Sequence, residues 1–334
     1  MSGPIQHGGG LAAAASLYGG RIEDWLDLST GINPCPPELP DIPMRAWHRL
    51  PDQEREMAAR AAARGYYRSG ARLPLPVPGT QSVIQLLPRL VAPGSRVAVL
   101  TPTYGEYVRA FTLAGLAVDA ISDLDQITSD HRLVVVVNPN NPDGRLYRRE
   151  RLLALAGALG HRNGVLVVDE AFGDTVRDHS LAGDPSPNLI VFRSFGKFFG
   201  LAGIRLGFVI AEDTLTGRFA EWLGPWAVSG PALVLAEHLM TSDTGLISDQ
   251  IRQRSRALTA VLSNAGFTLR EGTDLFQLVE DDNAVDLHRH LCSHHILTRK
   301  FDYRPDWLRV GLSPDEAGDA RLLAALSTFR KPRT

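Results

Sequence analysis

The stretch SFGKFFGLAGIRLG, residues 194–207, decides the fold. It begins at the end of an apolar run, LIVFRSF (189–195), which predicts a buried strand. Lys197 comes just after this strand, and the small residues near it leave room for a bulky partner. Arg205 can clamp a phosphate through its planar guanidinium, and the Ser194 hydroxyl can donate to the same group. A surface loop with a solvated lysine and arginine would look the same locally, so companions elsewhere in the chain must decide.

Two polar side chains follow other apolar runs. Asp169 lies near the end of GVLVVDEAF (164–172), where burial of a carboxylate is costly without a cationic partner. A protonated pyridine nitrogen would serve, although a helix N-cap or a metal ligand would also explain an acid here. Asn141 lies in the turn NPNNPDG (138–144) and could donate to a phenolate oxygen and to a substrate carboxylate. As a plain turn, the same segment would be unremarkable.

The turn PGTQS (78–82) is a candidate anion site. Gly79 leads into a predicted helix, and the N–H groups of Thr80 and Gln81 lie at the positive end of its dipole. Turns of this kind are common. Taken together, the four features match pyridoxal 5'-phosphate. They are a lysine able to form a Schiff base, an acid for the ring nitrogen, an amide for the phenolate oxygen and a three-part phosphate cup. These elements also follow one another at successive strand ends.

The remaining apolar runs extend this pattern into a fold. They are continuous rather than alternating, which indicates a mostly parallel mixed sheet covered on both faces, hence an α/β fold. Further strands are predicted at 96–102, 132–139, 203–211, 296–302 and 307–313, and helices at 53–66, 82–91, 104–114, 149–161, 245–265 and 283–295. We expect an N-terminal arm at 1–50, extended and attached to the small domain, a large domain at 51–235 and a small α+β domain at 236–334.

Composition narrows the class of protein. The 334 residues carry 35 basic and 37 acidic side chains, so no electrostatic footprint for nucleic acid or membrane is expected. No apolar stretch approaches the ~20 residues of a membrane span, and the N-terminus lacks the basic region of a signal peptide. The two cysteines, Cys35 and Cys292, fit a reducing compartment. We expect a soluble cytoplasmic enzyme.

The quoted motifs, together with TPTYGEY (101–107), are similar to those of the class I and II aminotransferases, pyridoxal-phosphate enzymes of fold type I. The resemblance covers about residues 5–313 and falls in the branch of the histidinol-phosphate aminotransferases and threonine-phosphate decarboxylases. Two segments resemble the decarboxylases of cobalamin biosynthesis in particular. They are HGGGLAAAASLYG with WLDLSTGINPCPP (7–37) and GPWAVSGPALVLA (224–236).

The resemblance implies a role for each matching residue. The catalytic set would be Lys197 as the Schiff-base amine, Asp169 at the pyridine nitrogen and Asn141 at the phenolic oxygen. Tyr104 would stack on the ring. The whole cofactor-binding set would be Gly79, Thr80, Gln81, Tyr104, Asn141, Asp169, Ser194, Lys197 and Arg205. The substrate-binding set would be His7, Gly8, Asn33, Asn141, Arg299 and Arg309, with Arg309 on the carboxylate and Arg299 on a phosphate. The family also implies a homodimer.

Three positions depart from the family pattern. Phe172 stands where aminotransferases of this branch usually have tyrosine, so one hydrogen bond to the phenolic oxygen is missing and transamination is less favoured. Leu50 stands where a tyrosine is often lent by the partner subunit to the cofactor phosphate. Gly196 replaces a more usual serine or threonine.

The resemblance favours decarboxylation of L-threonine O-3-phosphate to (R)-1-aminopropan-2-yl phosphate. A histidinol-phosphate-type aminotransferase and a non-catalytic, cofactor-binding regulator are the alternatives. Regulators of that kind usually carry a DNA-binding domain, for which the sequence shows neither the length nor the charge.

Other patterns invite different interpretations. HRHLCSHH (288–295) places histidines and a cysteine one helical turn apart, so a metal site is possible, but no second cluster supplies further ligands and we expect no metal. The Gly-Lys pair at 196–197 lacks the first glycine and the following hydroxyl residue of a nucleotide P-loop. No GxGxxG follows the first strand, which disfavours a Rossmann dehydrogenase.

Overall fold

A computed structural model describes residue 5 and residues 7–329, without the side chain of Glu271. The expected domain ranges therefore extend at both ends into residues outside the described part, namely 1–4, 6 and 330–334. Within the described residues, no helix combines the length and the apolar character that a membrane span requires.

A seven-stranded sheet forms the centre of the molecule. Five neighbouring strands are parallel, and Gly207–Ile210 pairs antiparallel with Leu189–Ser194 on one side and with Leu75–Val77 on the other. From one edge to the other, the strands are Leu75–Val77, Gly207–Ile210, Leu189–Ser194, Val165–Asp169, His131–Val137, Arg96–Leu100 and Ala117–Ile121. The α/β fold with a mostly parallel mixed sheet, predicted from the continuous apolar runs, is confirmed.

Side chains of one strand enter two separate apolar cores. In His131–Val137, Val134 and Val136 join the larger core, whereas Val135 and Val137 join the smaller one on the opposite face. All four are at most 3% exposed. The sheet is therefore covered on both faces, which explains why its strands are apolar without alternation.

Helices cover these faces and build the second unit. They are Leu11–Tyr18, Met44–His48, Gln53–Tyr67, Thr80–Ile84, Glu106–Leu113, Arg149–Gly160, Phe195–Phe198, Asp213–Leu223, Gly230–Thr241, Gly245–Asn264, Ala284–Ser293 and Glu316–Thr328. One helix expected at 82–91 is instead a short helix and a separate 3-10 turn, Leu87–Leu90, which contains Pro88. Proline lacks the N–H that a continuing helix requires.

A four-stranded antiparallel sheet forms the smaller α+β unit. Its order is Arg299–Phe301, Arg304–Gly311, Phe276–Glu280 and Leu269–Thr273. The strand expected at 296–302 is divided: Ile296–Leu297 pairs in parallel with Leu26–Asp27 from the N-terminal region.

The prediction that residues 1–50 are extended rather than packed is wrong in part. Leu11–Tyr18 is helical, and Leu26–Asp27 is a strand paired with the smaller unit. Leu28 and Ser29 are buried. This region packs because the backbone of Leu28 bonds on both sides, from its N–H to Leu297 and from Gly311 to its carbonyl oxygen.

Candidate active site

The carboxyl ends of the parallel strands open into one cavity, called here the first cavity. All nine residues predicted to bind a cofactor line it: Gly79, Thr80, Gln81, Tyr104, Asn141, Asp169, Ser194, Lys197 and Arg205. Val137, Ala171, Phe172, Gly196, Ala202 and Leu206 complete the wall. Residues between 79 and 206 along the chain meet here because parallel strands present all their carboxyl ends at one edge.

Lys197 lies on the short helix Phe195–Phe198 that follows its strand directly. Burial, together with the positive charge of Arg309 and against the opposing charge of Asp169, lowers the pKa of Lys197 to about 8. Its Nζ lies 5.7 Å from the centroid of the Phe172 ring. This environment yields a neutral, nucleophilic amine at a much lower pH than free lysine does.

Asp169 closes the strand Val165–Asp169 and is buried. Its carboxylate accepts hydrogen bonds from the Tyr107 hydroxyl at 2.6 Å and from the Ala171 N–H at 2.9 Å. Burial raises the pKa of Asp169, while these two hydrogen bonds and Lys197 work in the opposite direction. The sequence interpretation missed Tyr107, although its position in TPTYGEY, three residues after Tyr104, places both tyrosines on one side of a helical turn.

Gly79, Thr80, Ser194 and Arg205 form a polar recess in the wall of the first cavity. Gly79 has φ +75°, and a Cβ there would lie 2.8 Å from Arg205 Nη2, so only glycine lets the guanidinium approach. No side-chain hydrogen bond is found for the hydroxyls of Thr80 and Ser194 among the described residues. The recess therefore holds two free hydroxyls beside a cation, a set of donors that suits a phosphate.

Asn141 and Arg309 meet across the boundary of the two units. Arg309 Nη1 donates to Asn141 Oδ1, and Nη2 donates to the backbone oxygen of Ser29 at 2.7 Å. Because the Asn141 oxygen faces Arg309, its NH2 group is left to donate elsewhere. Burial, together with the charge of the neighbouring Arg299, lowers the pKa of Arg309 to about 10. Arg309 also lies over the Phe276 ring, with Cζ 5.0 Å from its centroid.

A second cavity gathers three more of the predicted substrate residues. His7, Gly8 and Arg299 line it, together with Ser29, His288, Arg289, Thr298 and Lys300 among others. It meets the wall of the first cavity at His7 and Tyr104, whose ring centroids are 5.6 Å apart.

The structure does not bring Asn33 to either cavity. Its NH2 group donates to the backbone oxygens of Cys35 and Phe198, both at 3.0 Å, and its oxygen accepts from the Cys35 N–H. Its own N–H donates to the carbonyl oxygen of Lys197. The side-chain amide and the N–H of Asn33 are thus bonded to the backbone of Cys35, Lys197 and Phe198, and its contact with substrate stays a prediction.

The three departures from the family pattern have distinct surroundings. A Cβ at Gly196 would lie 2.6 Å from Ala202 Cα, so serine or threonine does not fit there. Phe172 is buried and packs edge-on against Phe276, with ring centroids 5.2 Å apart. Leu50 is exposed at the surface.

The histidine-rich helix Ala284–Ser293 has packing partners of its own. His288 Nδ1 lies 3.0 Å from Thr298 Oγ1, and its Nε2 lies 3.6 Å from Cys292 Sγ. Burial lowers the pKa of His288 to about 4. His290 Nε2 contacts the Ala325 carbonyl oxygen at 2.8 Å. Among residue 5 and residues 7–329, no group of three or more metal-ligating side chains converges on one point.

The residues of the first cavity fit pyridoxal 5'-phosphate. The wall contains a reactive amine, a buried carboxylate, a planar aromatic side chain and a glycine cradle with a guanidinium. The amine suits an aldehyde, the carboxylate a ring nitrogen, the aromatic side chain a ring face and the guanidinium a phosphate. The fold and the site together define a pyridoxal-phosphate-dependent enzyme.

Comparisons with known proteins give the family. The family model described as aminotransferase class I and II matches residues 25–326. Threonine-phosphate decarboxylase from a Sinorhizobium species is 59% identical over 98% of this chain and 99% of its own length. Threonine-phosphate decarboxylase from Pseudomonas aeruginosa is 44% identical, again over 98% and 99%. The chain belongs to the class I and II aminotransferase family.

A solved structure agrees in fold. The histidinol-phosphate aminotransferase of Sinorhizobium meliloti, in complex with pyridoxal 5'-phosphate, superposes with a TM-score of 0.81 at 20% identity and covers 98% of this chain and 95% of its own. At this identity the likeness shows the fold alone.

Proposed function

We propose that this protein decarboxylates L-threonine O-3-phosphate to (R)-1-aminopropan-2-yl phosphate and carbon dioxide, a step of cobalamin biosynthesis, with pyridoxal 5'-phosphate as cofactor. The observation that carries the proposal is the 59% identity, over nearly the full length, to a threonine-phosphate decarboxylase. The family alone would leave an aminotransferase equally open. The site geometry supplies the residues that the reaction needs.

Pyridoxal phosphate, when bound, supplies an electron-accepting ring that stabilises negative charge at the substrate's α-carbon. Lys197 would hold the cofactor's carbonyl carbon through its amine and later deliver a proton to the α-carbon. Asp169 would keep the ring nitrogen protonated, and Tyr107 orients the Asp169 carboxylate for this task. Asn141 would donate its NH2 group to the phenolic oxygen. Thr80, Ser194 and Arg205, with the Gly79 cradle, would hold the phosphate.

The arrangement of cations supports a doubly anionic substrate. Arg299 and Arg309 are direct partners across two antiparallel strands. Like charges placed opposite each other destabilise a sheet, and an anion bound between or beside them offsets that repulsion. Arg309, next to Asn141, would bind the carboxylate, and Arg299, His7 and Gly8 on the second cavity would bind the substrate's phosphate.

The choice of reaction depends on which group at the substrate's α-carbon is released. Arg309 and Asn141 would bind the carboxylate and orient it for release. Phe172 cannot donate to the phenolic oxygen as a tyrosine would, which disfavours transamination.

We further propose a homodimer in the cytoplasm, with the domain division expected from the sequence. The free thiols Cys35 and Cys292 are consistent with a reducing compartment. The exposed apolar side chains of Met44, Trp47 and Leu50 are consistent with contact to a partner subunit.

An assay without a keto acceptor tests the proposed reaction. Purified protein loaded with pyridoxal phosphate is incubated with L-threonine O-3-phosphate, and carbon dioxide and the amino alcohol phosphate are measured. We expect stoichiometric amounts of both. Formation of glutamate from added 2-oxoglutarate, without release of carbon dioxide, would identify an aminotransferase instead. A protein that binds the cofactor but turns over neither way would support the regulator.

A further inference from the structure

Glu106 is a buried carboxylate that the proposed reaction does not use. It begins the helix Glu106–Leu113 and is 6% exposed. Donors approach it from several elements: His7 Nε2 at 2.9 Å, Gln81 Nε2 at 3.1 Å, Gln85 Nε2 at 3.3 Å and Arg109 Nη1 at 3.7 Å. A carboxylate with this many partners connects the elements that carry them.

The direction of these hydrogen bonds fixes two side chains of the first cavity. An ionised carboxylate only accepts, so Gln81 must present its NH2 group to Glu106. The Gln81 oxygen then faces the Tyr104 hydroxyl, which donates to it at 3.0 Å. Burial, together with the charge of Glu106, raises the pKa of Tyr104 to about 12, so Tyr104 remains a donor. Glu106 thus sets the orientation of Gln81 and, through it, of Tyr104.

The same carboxylate anchors the N-terminal segment, by which we mean residue 5 and residues 7–9. His7 bonds Glu106, and its ring lies beside that of Tyr104. On one side of His7, Ile5 packs over Gly105, where a Cβ would lie 3.2 Å from Ile5 Cδ1. On the other side, Gly8 leaves no space for a side chain, because a Cβ would lie 2.4 Å from the Ser29 carbonyl oxygen. The segment is therefore seated directly over the turn that carries Tyr104.

We propose that Glu106 is a positioning residue that couples seating of the N-terminal segment to the orientation of Gln81 and Tyr104 in the cofactor cavity. Because His7 also lines the second cavity, this carboxylate links the two cavities. A substrate group that contacts His7 thereby stabilises the side chains around the cofactor. Only the identity of that substrate rests on the proposed function.

Hydrogen exchange and cofactor titration test the coupling without any substrate. In Glu106→Gln the side chain keeps its size, but an NH2 group replaces one carboxylate oxygen. That group cannot accept the hydrogen bonds that Glu106 Oε2 accepts from Gln81 and Gln85. We expect faster amide exchange in residues 7–15 and a dissociation constant for pyridoxal phosphate raised about five- to ten-fold, within the usual range of coupling between sites. His7→Ala should show the same faster exchange and a smaller loss of cofactor affinity, and the double variant should be no worse than Glu106→Gln. Arg109→Ala, which removes only the weakest neighbour, is the matched control and should match wild type in both measurements.

Kinetics separate positioning from a purely structural role. We expect Glu106→Gln and His7→Ala to raise KM for L-threonine O-3-phosphate about ten-fold, with a smaller change in kcat. Wild-type exchange and cofactor affinity in folded Glu106→Gln, or independent, additive effects of the two substitutions, would overturn the proposal. If Glu106→Gln does not fold, unchanged exchange and KM in His7→Ala would overturn it as well. If wild-type protein does not decarboxylate the substrate, the proposed function fails, while exchange and cofactor binding still decide the role of Glu106.

Discussion

The reactivity of Lys197 is set by its surroundings rather than by the lysine side chain alone. Burial, assisted by Arg309, lowers the pKa of this amine to about 8. A neutral amine attacks an aldehyde, whereas an ammonium does not. The rate of cofactor capture should therefore rise about ten-fold per pH unit below this pKa and level off above it.

Stopped-flow absorbance of cofactor-free protein mixed with pyridoxal phosphate measures this pH dependence. In Arg309→Met the midpoint should move to higher pH, because loss of a neighbouring positive charge makes protonation of Lys197 easier. A midpoint near the 10.5 of an ordinary lysine in wild-type protein would contradict the burial described here.

Lys197→Ala tests the attachment itself. The sequence contains three lysines, at 197, 300 and 331, so a control is available. We expect the visible band of the bound cofactor to disappear and activity to fall by at least about 10³-fold, as for loss of a group that both binds and transfers protons. Lys300→Ala should keep the visible band. A borohydride-fixed adduct on any lysine other than Lys197 would refute the assignment.

Asp169→Asn should separate catalysis from stability. Burial raises the pKa of Asp169, so the charge is unfavourable for folding, and a neutral amide of the same size avoids that cost. We expect activity to fall ~100-fold, because the amide cannot keep the ring nitrogen protonated. The melting temperature of the cofactor-free protein should not fall. A loss of melting temperature that accounts for the lost activity would argue for a structural role.

At the scale of elements, the lysine helix depends on a glycine contact. A Cβ at Gly196 would lie 2.6 Å from Ala202 Cα, whereas nothing lies within 4 Å of one at Gly203. We expect Gly196→Ser to destabilise the protein by about 1–3 kcal/mol, as overpacking does, and to shift the visible band by displacing Lys197. Gly203→Ser is the matched control and should change little. Denaturant unfolding and absorbance spectra measure both effects, and equal behaviour of the two variants would contradict the packing described here.

Elements with continuous apolar sequences were predictable, and elements that depend on distant partners were not. The strands around Val135, Val167 and Val191 follow from their β-branched runs. The edge strand Ala117–Ile121 is short and partly exposed, and its sequence lacks that signal. The pairing of Leu26–Asp27 with Ile296–Leu297 joins segments about 270 positions apart, which no local pattern reveals.

The same distinction holds for the site. Side chains directly at strand ends, such as Asp169 and Ser194, could be predicted because topology alone brings them together. Tyr107 and Glu106 lie within a helix, and their importance appears only when the helix is placed against Asp169 and the N-terminal segment. The hydrogen bonds of Asn33 to the backbones of Cys35 and Phe198 could not be predicted from the sequence around it.

At the scale of the whole molecule, several large apolar side chains are exposed near the contact of two helices. Met44, Trp47 and Leu50 are 73%, 61% and 65% exposed, and Trp226 is 59% exposed. The helix Met44–His48 packs against Gly230–Thr241, where a Cβ at Gly230 would lie 2.3 Å from the Ala46 carbonyl oxygen. Trp226 precedes the second of these helices in the chain. We infer that the surface around Met44, Trp47 and Leu50 is an interface, because large apolar side chains exposed in one region mark such sites.

We expect this surface to be covered by a second copy of the chain, and Trp47→Glu to shift the protein from dimer to monomer in sedimentation velocity at micromolar concentration. A charge buried against apolar partners is costly, so the dissociation constant of the dimer should rise at least about 100-fold. The control Leu246→Glu changes a side chain that is 80% exposed on a different helix and should leave the dimer intact. If the active site is completed across this interface, as the family resemblance implies, activity should fall with the dimer and recover at high protein concentration. A wild-type protein that sediments as a fully active monomer would show that these side chains serve another purpose.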